Sequence, residues 1–458
     1  MPLMVSVSGI RGIIGESLTP EVIMNYVISF IKILGKDKGA LMIGRDTRGS
    51  GKSIEKIIEG IVTSLGYDVI NIGVAPTPTI LLCTRKLGCI GGIAITASHN
   101  PAEWNALKFC NEKGLFLGED IVKVIERQVN ERDFIPQWVK FDKLGRINVK
   151  ENAIELHIKE VMNFIDVELI RSKHYTVAID PVGGSSVVID RKFLENLGCT
   201  VVEIHGSQHE IFPRGSEPTP ENIGKLCSLV NEHKADIGFA QDPDGDRLSI
   251  VSEQGIAIGE EYTLILVGES WLRNEKSNIV CNLSTSMMVE DLAKRFGVEV
   301  MRTKIGEIWV TQMLLDRGLS FGGEGNGGAI VIPINPCRDS ILAMGLILEL
   351  MAKTDRSISQ IVDSIPAYFM KKDKVSIKKT NREDLYKQIK KLAEELFSNY
   401  EINTLDGIKI YNNQEWVHIR LSNTEPVVRI VAESETITRT EELIAKGKLL
   451  TTAYQQSF

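Results

Sequence analysis

The sequence predicts an α/β protein, with three tandem, similar α/β domains followed by a smaller C-terminal α+β domain. Three observations predict it. A helix–glycine–strand unit recurs at domain-sized intervals, four polar loops interrupt strand-like runs, and the final part of the chain changes to a period-2 pattern. At 458 residues the chain also exceeds what one hydrophobic core organises.

The recurring unit first appears as Ile54, Ile57, Ile58, Ile61 and Leu65 at helical spacing, then Gly66, then Tyr67-Asp68-Val69-Ile70. It returns as Phe193 to Leu197, Gly198 and Cys199-Thr200-Val201-Val202, and again as Leu292 to Phe296, Gly297 and Val298-Glu299-Val300-Met301. In each, glycine suits the left-handed position that ends a helix. The run after it has the composition of a buried parallel strand. The glycines lie about 130 and about 100 residues apart, which reads as repeated domains. Beyond them, a helix is expected from about Arg382 to Phe397, then a strand at Ile408–Tyr411, a turn at Asn412-Asn413, and a strand from Trp416 to Leu421. There Val417, Ile419 and Leu421 alternate with His418 and Arg420, the mark of a half-buried antiparallel strand. With linkers near Asn152, Glu253 and Ile365, the expected domains are 1–151, 152–253, 254–365 and 366–458.

Composition narrows the class. A hydrophobic fraction of 43% with 25% charged residues is that of a globular chain, and the net charge of −7 gives no global field for nucleic acid or an anionic membrane. Cysteines 83, 89, 110, 199, 227, 281 and 337 include no C-x-x-C pair, which argues against a disulfide framework or zinc site and fits a reducing compartment. The N-terminus lacks a basic stretch before a long apolar core, and the apolar helical run Ile341–Ala352 is too short to span a bilayer. A soluble, cytoplasmic protein is expected, a monomer or homodimer with no nucleic-acid or membrane partner.

The four loops carry the chemistry. Asp242-Pro243-Asp244-Gly245-Asp246-Arg247 lies between strand-like runs, so its three alternate carboxylates can converge on one hard cation. Asp242, Asp244, Asp246 and Glu253 also match EF-hand positions, but Arg247 stands where that loop needs glycine and the flanks are strands. Ile95-Thr96-Ala97-Ser98-His99-Asn100-Pro101 puts a serine in a small-residue turn after an apolar strand, without the surroundings of a G-x-S-x-G nucleophile. A polar helix cap is the plain alternative. If Ser98 lies on a turn, the next side chain, His99, is expected to point elsewhere, while Lys108 could be a general base or charge partner. Gly323-Glu324-Gly325-Asn326-Gly327-Gly328 precedes a strand-like run, Ala329–Ile332, and so is neither a Walker A nor a dinucleotide turn. Glu324 and Asn326 suit vicinal hydroxyls. Finally, Arg420 and Arg429 bracket Ser422, Asn423 and Thr424, a set suited to a dianionic phosphate. Nucleophile, cation site, polyol reader and anion clamp together describe phosphoryl transfer on a sugar phosphate.

With these loops, Ser8-Gly9-Ile10-Arg11-Gly12 and Gly44-Arg45-Asp46-Thr47-Arg48, the chain resembles the α-D-phosphohexomutase family over almost its whole length. The resemblance implies four domains around a central cleft. Ser98 would carry a phosphoryl group, with Mg²⁺ held by that group and by Asp242, Asp244 and Asp246. A hexose 1,6-bisphosphate would serve as intermediate and activator. The catalytic set it implies is Ser98, Lys108, Arg11, His99 and Arg247. Glu324 and Asn326 would read the sugar, and Arg420, Ser422, Asn423, Thr424 and Arg429 would clamp the non-reacting phosphate, on a last domain suited to motion. Two departures stand out: Asn326 and Gly328 replace a serine and a histidine usual in the sugar loop, and Ala106 replaces a glycine. The Asn-Gly-Gly form resembles archaeal-type phosphoglucosamine mutases, while phosphomannomutase or phosphoglucomutase activity, of dual or broad specificity, is the alternative. A hexose bisphosphate synthase or a non-catalytic sugar-phosphate sensor are lesser readings.

Overall fold

The helix–glycine–strand unit occupies the same place in each of three repeats, joining the first two of their parallel strands. A computed structural model describes residues 3–133, 135–209, 211–377, 381–422 and 427–455. The first repeat contains β1 (Met4–Ser6), β2 (Gly9–Ile13), β3 (Ala40–Arg45), β4 (Asp68–Val74), β5 (Gly91–Ile95), β6 (Trp104–Asn111) and β7 (Ile147–Val149). Their sheet order is β1-β2-β6-β5-β3-β4-β7. The second contains β8 (Thr176–Asp180), β9 (Thr200–Glu203), β10 (Ile237–Gln241) and β11 (Leu248–Ser252), in the order β11-β10-β8-β9. In the third, β12 (Ile279–Asn282) pairs in parallel with both β13 (Val300–Thr303) and β14 (Phe321–Glu324), and β15 (Gly328–Val331) follows along the chain. The last domain is an antiparallel sheet of β16 (Phe369–Ser376), β17 (Glu401–Asn403), β18 (Ile408–Tyr411), β19 (Trp416–Leu421) and β20 (Val427–Ser434), in the order β16-β20-β19-β18-β17. These strands fall into two units, Met1–Trp271 with Asn326–Val362, and Leu272–Gly325 with Asp363–Phe458.

The three glycines behave as the sequence implies. Gly66, Gly198 and Gly297 have φ of 86°, 76° and 63°, ending helices Gly51–Ser64, Asp190–Asn196 and Met288–Phe296. The strands that follow are parallel, but the expectation that they are buried needs correction. β9 has no buried residue, and in β13 only Thr303 is buried. Each pairs with one neighbour only in its unit, at a sheet edge, so composition alone overstated their burial. The strands buried at every residue are β5, β10, β11, β12, β14 and β15. β5 lies between two apolar layers, one built on helices Pro20–Leu34 and Gly51–Ser64 and the other on helix Thr77–Lys86.

β19 is also more enclosed than its alternation implies. Val417 and Ile419 enter the core as expected, yet His418 on the opposite face is only 1% exposed. The loop after β12 covers that face: Ser284 Oγ lies 2.7 Å from His418 Nδ1, Lys409 Nζ donates to Leu283 O at 2.6 Å, and Glu433 accepts from Met287 N. The last domain is thereby fastened to residues of the third within one unit.

Burial, reinforced by Lys409, lowers the His418 imidazole to about 4 from its ordinary 6.5. Neutral histidine is therefore the form the fold accepts, with Nε2–H donating to Asp406 O. Its contribution is complete above pH 6.5 and is lost as pH falls towards 4, because the unfolded chain binds the proton more readily. A cost of about 3 kcal/mol over that range is expected from the shift. Unfolding of the wild type and His418→Gln at pH 7 and 4.5 checks this: the variant should lose less stability on acidification.

Candidate active site

Ser98, the aspartate loop and the Glu324 loop hold equivalent places in the three repeats. Each follows the third parallel strand of its repeat along the chain (β5, β10 or β14) at its carboxyl end, where open α/β sheets present ligand sites. Repetition of one fold thus yields three chemically different loops at matching positions.

Ser98 sits in the left-handed region at φ 50°, a conformation that costs a non-glycine residue energy and persists only where its surroundings enforce it. Arg48 enforces it. Its guanidinium, 1% exposed, donates to the carbonyls of Ser98, Asn100, Pro101 and Trp104, and its Nε pairs with Asp46 Oδ2 at 3.1 Å. Asp46 also accepts from Thr96 Oγ1, which in turn accepts from Ser98 N. The positive φ curls the chain so that His99 Nδ1 comes within 3.3 Å of Ser98 Oγ, which corrects the expectation that His99 points elsewhere. Burial, followed by the charges of Arg247 and Arg11, holds the His99 imidazole well below the ordinary range, hence neutral.

The aspartates converge as their spacing predicts. Ligand oxygens of Asp242, Asp244 and Asp246 all lie within 4.8 Å of one another, and all three residues are buried. Gly245 supplies the positive φ of 66° that the tight turn needs. Each carboxylate is held by one oxygen and presents the other. Asp242 Oδ1 accepts from Asp246 N and Arg247 N, leaving Oδ2 at 3.1 Å from Ser98 Oγ. Asp244 Oδ2 accepts from Lys108 Nζ at 2.6 Å and from Thr77 Oγ1, while Asp246 Oδ2 pairs with Arg338 Nη2 at 2.5 Å. Asp244 Oδ1 and Asp246 Oδ1 are buried without a hydrogen-bond partner. Two orphaned carboxylate oxygens beside a third fit a divalent cation that favours oxygen ligands, since leaving them bare is costly. Burial and the charges of Asp246 and Asp244 push the Asp242 carboxyl well above its ordinary range. Burial is also the largest single influence on Asp244 and raises it. The charge of Lys108 and hydrogen bonds from Asp242, Lys108 and Thr77 together outweigh it and hold that carboxyl below its ordinary range, ionised. Lys108 is accordingly engaged as a charge partner.

Arg11 Nη1 donates to Asn100 Oδ1 at 2.9 Å, on the Ser98 turn. Arg247 Nη1 pairs with Glu217 Oε1 at 3.1 Å, and His99 Nε2 lies 3.7 Å from the same oxygen. Ser98, Lys108, Arg11, His99, Arg247 and the three aspartates therefore belong to one neighbourhood in the first unit. Arg48, Glu217 and Arg338 also belong to it. Arg48 stood in a quoted motif without a role, and nothing local marked Glu217 or Arg338.

The remaining candidates divide between the units. Glu324 is buried in the second unit, its Oε1 accepting from Asn282 Nδ2 and Gly306 N. Asn326 lies in the first. In the last domain Arg420 and Arg429 are direct cross-strand partners, and Arg429 is also paired with Lys374 of β16, so three cations line one row. Arg420 Nε contacts Asp406 Oδ1 at 3.2 Å, and Ser422 is buried beside them. Asn423 and Thr424 lie outside the described residues.

A four-domain α/β chain carrying a serine against a buried carboxylate triplet that could hold a metal ion presents an arrangement suited to group transfer. Comparison narrows it. The sequence matches the description "Phosphoglucomutase/phosphomannomutase, alpha/beta/alpha" for domain I over residues 3–136, domain II over 155–255 and domain III over 259–369, and the C-terminal domain over 374–446. The chain belongs to this family, within the α-D-phosphohexomutase superfamily, and its reaction is of the phosphohexomutase type. It is 35% identical to a Thermococcus kodakarensis protein named phosphoglucomutase/phosphomannomutase, covering 96% of this chain and 97% of that one. It is 30% identical to a Sulfurisphaera tokodaii phosphoglucosamine/phosphogalactosamine mutase, covering 93% and 94%. Its fold matches that of a family protein from Burkholderia thailandensis with a TM-score of 0.85 at 22% identity, over 99% and 98% of the two chains. Among the described residues, no helix is long and apolar enough to cross a membrane.

Proposed function

We propose that the chain interconverts hexose 6-phosphate and hexose 1-phosphate through phospho-Ser98, most readily with glucosamine phosphate as substrate. The observation that carries the reaction is Ser98 Oγ at 3.1 Å from Asp242 beside two bare carboxylate oxygens. A cation held by Asp242, Asp244 and Asp246, Mg²⁺ by ligand chemistry, would supply charge neutralisation at the transferring phosphoryl group. The protein's own groups do the rest. Lys108 helps keep Asp244 ionised, Arg11 and Arg247 add positive charge where the phosphoryl oxygens gather, and neutral His99 lies within hydrogen-bond reach of the Ser98 oxygen and orients it. Phosphoryl passes from Ser98 to a sugar hydroxyl, whose proton ends on the Ser98 oxygen that is released, giving a 1,6-bisphosphate. After reorientation the other phosphate returns to Ser98, which regenerates the phosphoenzyme.

Glucosamine is favoured by the Asn326–Gly327–Gly328 form of the sugar loop and by the amino-sugar phosphates in the name of the Sulfurisphaera relative. The name of the Thermococcus relative favours a second reading, a dual glucose/mannose phosphate mutase. A coupled assay with Mg²⁺ and a trace of hexose 1,6-bisphosphate tests both, comparing glucosamine 6-phosphate, mannose 1-phosphate and glucose 1-phosphate by kcat/KM. Equal turnover of glucose and mannose phosphates with none of glucosamine phosphate would replace the first reading by the second.

The phosphate clamp has its own test. Like charges directly opposite in a ladder repel, and the Lys374–Arg429–Arg420 row becomes favourable when a dianion sits on it. Arg420→Ala or Arg429→Ala is expected to raise KM about 10-fold or more, since a hydrogen bond to a charged group contributes about 1.5–3 kcal/mol. Phosphorylation of Ser98 should persist. An unchanged KM in both variants would remove the clamp from the account.

A further inference from the structure

Position 328 holds glycine, and its backbone does not explain why. Gly328 is not among the residues with positive φ, so a side chain would meet no conformational penalty there. Space explains it. A Cβ at 328 would lie 2.1 Å from Arg338 Cδ and 2.8 Å from its Cγ. The arginine stem fills the volume that any larger residue would need.

Arg338 uses that path to bring Nη2 within 2.5 Å of Asp246 Oδ2, with both side chains nearly buried. The other oxygen of Asp246 is buried without a hydrogen-bond partner, with Arg247 Nε 3.9 Å away, and Asp244 Oδ1 nearby is likewise without a hydrogen bond. The backbone that carries Arg338 is firmly held. Asp339 N donates to Ala329 O at 3.1 Å, tying it to the residue after Gly328. The Asp339 side chain caps helix Ser340–Thr354 through Ile341 N and Leu342 N, and His157 Nε2 sits 2.7 Å from its Oδ2. The guanidinium is therefore delivered from a firmly held helix start through space that a Cβ at 328 would take from it, forcing the arginine stem to shift.

We propose that Arg338 is a positioning residue of the metal site, fixing Asp246 Oδ2 so that Oδ1 faces the cation, and that Gly328 is its obligate partner. The proposal rests on the reading of Asp242, Asp244 and Asp246 as a Mg²⁺ site.

Calorimetric titration of the full chain with Mg²⁺ tests this without relying on turnover. Arg338→Ala should weaken Mg²⁺ binding about 10–100-fold, the range for loss of a group that orients a ligand. Arg338→Lys should fall between, keeping the charge but losing the fork. Gly328→Ala should produce a comparable loss by displacing the arginine, and Gly328→Ala/Arg338→Ala should be no worse than Arg338→Ala alone. At saturating Mg²⁺, kcat should largely recover. Wild-type affinity in Arg338→Ala would overturn the positioning role, and additive losses in the double variant would overturn the pairing. If Arg338→Ala does not fold, Gly328→Ala decides, since unchanged Mg²⁺ affinity there also overturns the proposal. Absence of Mg²⁺ binding by the wild type would instead overturn the metal reading on which the proposal rests.

Discussion

Ser98→Ala is expected to abolish phosphohexomutase turnover, a loss on the order of 10⁴-fold or more, as when a covalent nucleophile is removed. The hydroxyl is the group placed to accept and return phosphoryl, and its neighbours have other duties. Lys108 is bound to Asp244, and His99 lies against the Ser98 oxygen as a neutral neighbour. Binding of sugar phosphate should survive, because Arg420 and Arg429 belong to another domain. Stability adds a second readout. Ser98 has a φ of 50°, so Ser98→Gly should relieve backbone strain and raise the melting temperature by an amount reflecting about 1 kcal/mol, while also abolishing turnover. Alanine offers no such relief. A glycine variant that is both more stable and inactive would identify stored strain at the nucleophile, and preserved turnover in either variant would refute the phosphoserine mechanism.

Arg48→Ala should be the most damaging change outside the reacting groups. The substitution strands Asp46 in a fully buried position and frees the carbonyls of Ser98, Asn100, Pro101 and Trp104 together. Breaking a buried pair from one side costs about 3–5 kcal/mol, and the freed carbonyls add to it. The effect should concentrate where the arginine acts. Hydrogen exchange should show lost protection across residues 96–104, with the cores around helix Pro20–Leu34 and the last domain little changed. Turnover should fall on the order of 10²-fold, the scale for displacement of a reacting group by about 1 Å. Arg48→Lys should rescue little, because one ammonium cannot reach four carbonyls and a carboxylate. Uniform destabilisation with a normal Ser98 loop would contradict the bracing role.

What the sequence reveals, and what it hides, follows from the distance over which each feature is specified. The aspartate site was legible because its geometry is local: alternate carboxylates in a hairpin must lie on one side, and Gly245 supplies the turn. The three helix–glycine–strand units were legible for the same reason, since a left-handed helix end is written in one residue. Burial is not local. β9 and β13 have the composition of central strands but lie at edges, and His418 has the spacing of an exposed residue but is covered by the Ser284 loop. Arg338 reaches Asp246 from 92 positions away, and Arg48 reaches the Ser98 carbonyl from 50. No periodicity records either contact. The only local trace of the Arg338 contact was the unexpected glycine at 328, which read as a missing histidine and is better understood as space kept for an arginine.

The central claim is that Ser98 carries phosphoryl and exchanges it with a sugar phosphate. Its most direct test is to load the purified chain with glucose 1,6-bisphosphate labelled at phosphorus in the presence of Mg²⁺, map the label by peptide mass spectrometry, and chase with unlabelled hexose 6-phosphate. The account predicts label on Ser98, its release as hexose bisphosphate during the chase, and no labelling of Ser98→Ala or of metal-depleted protein. Label on another residue, or label on Ser98 that hexose 6-phosphate cannot remove, would contradict it.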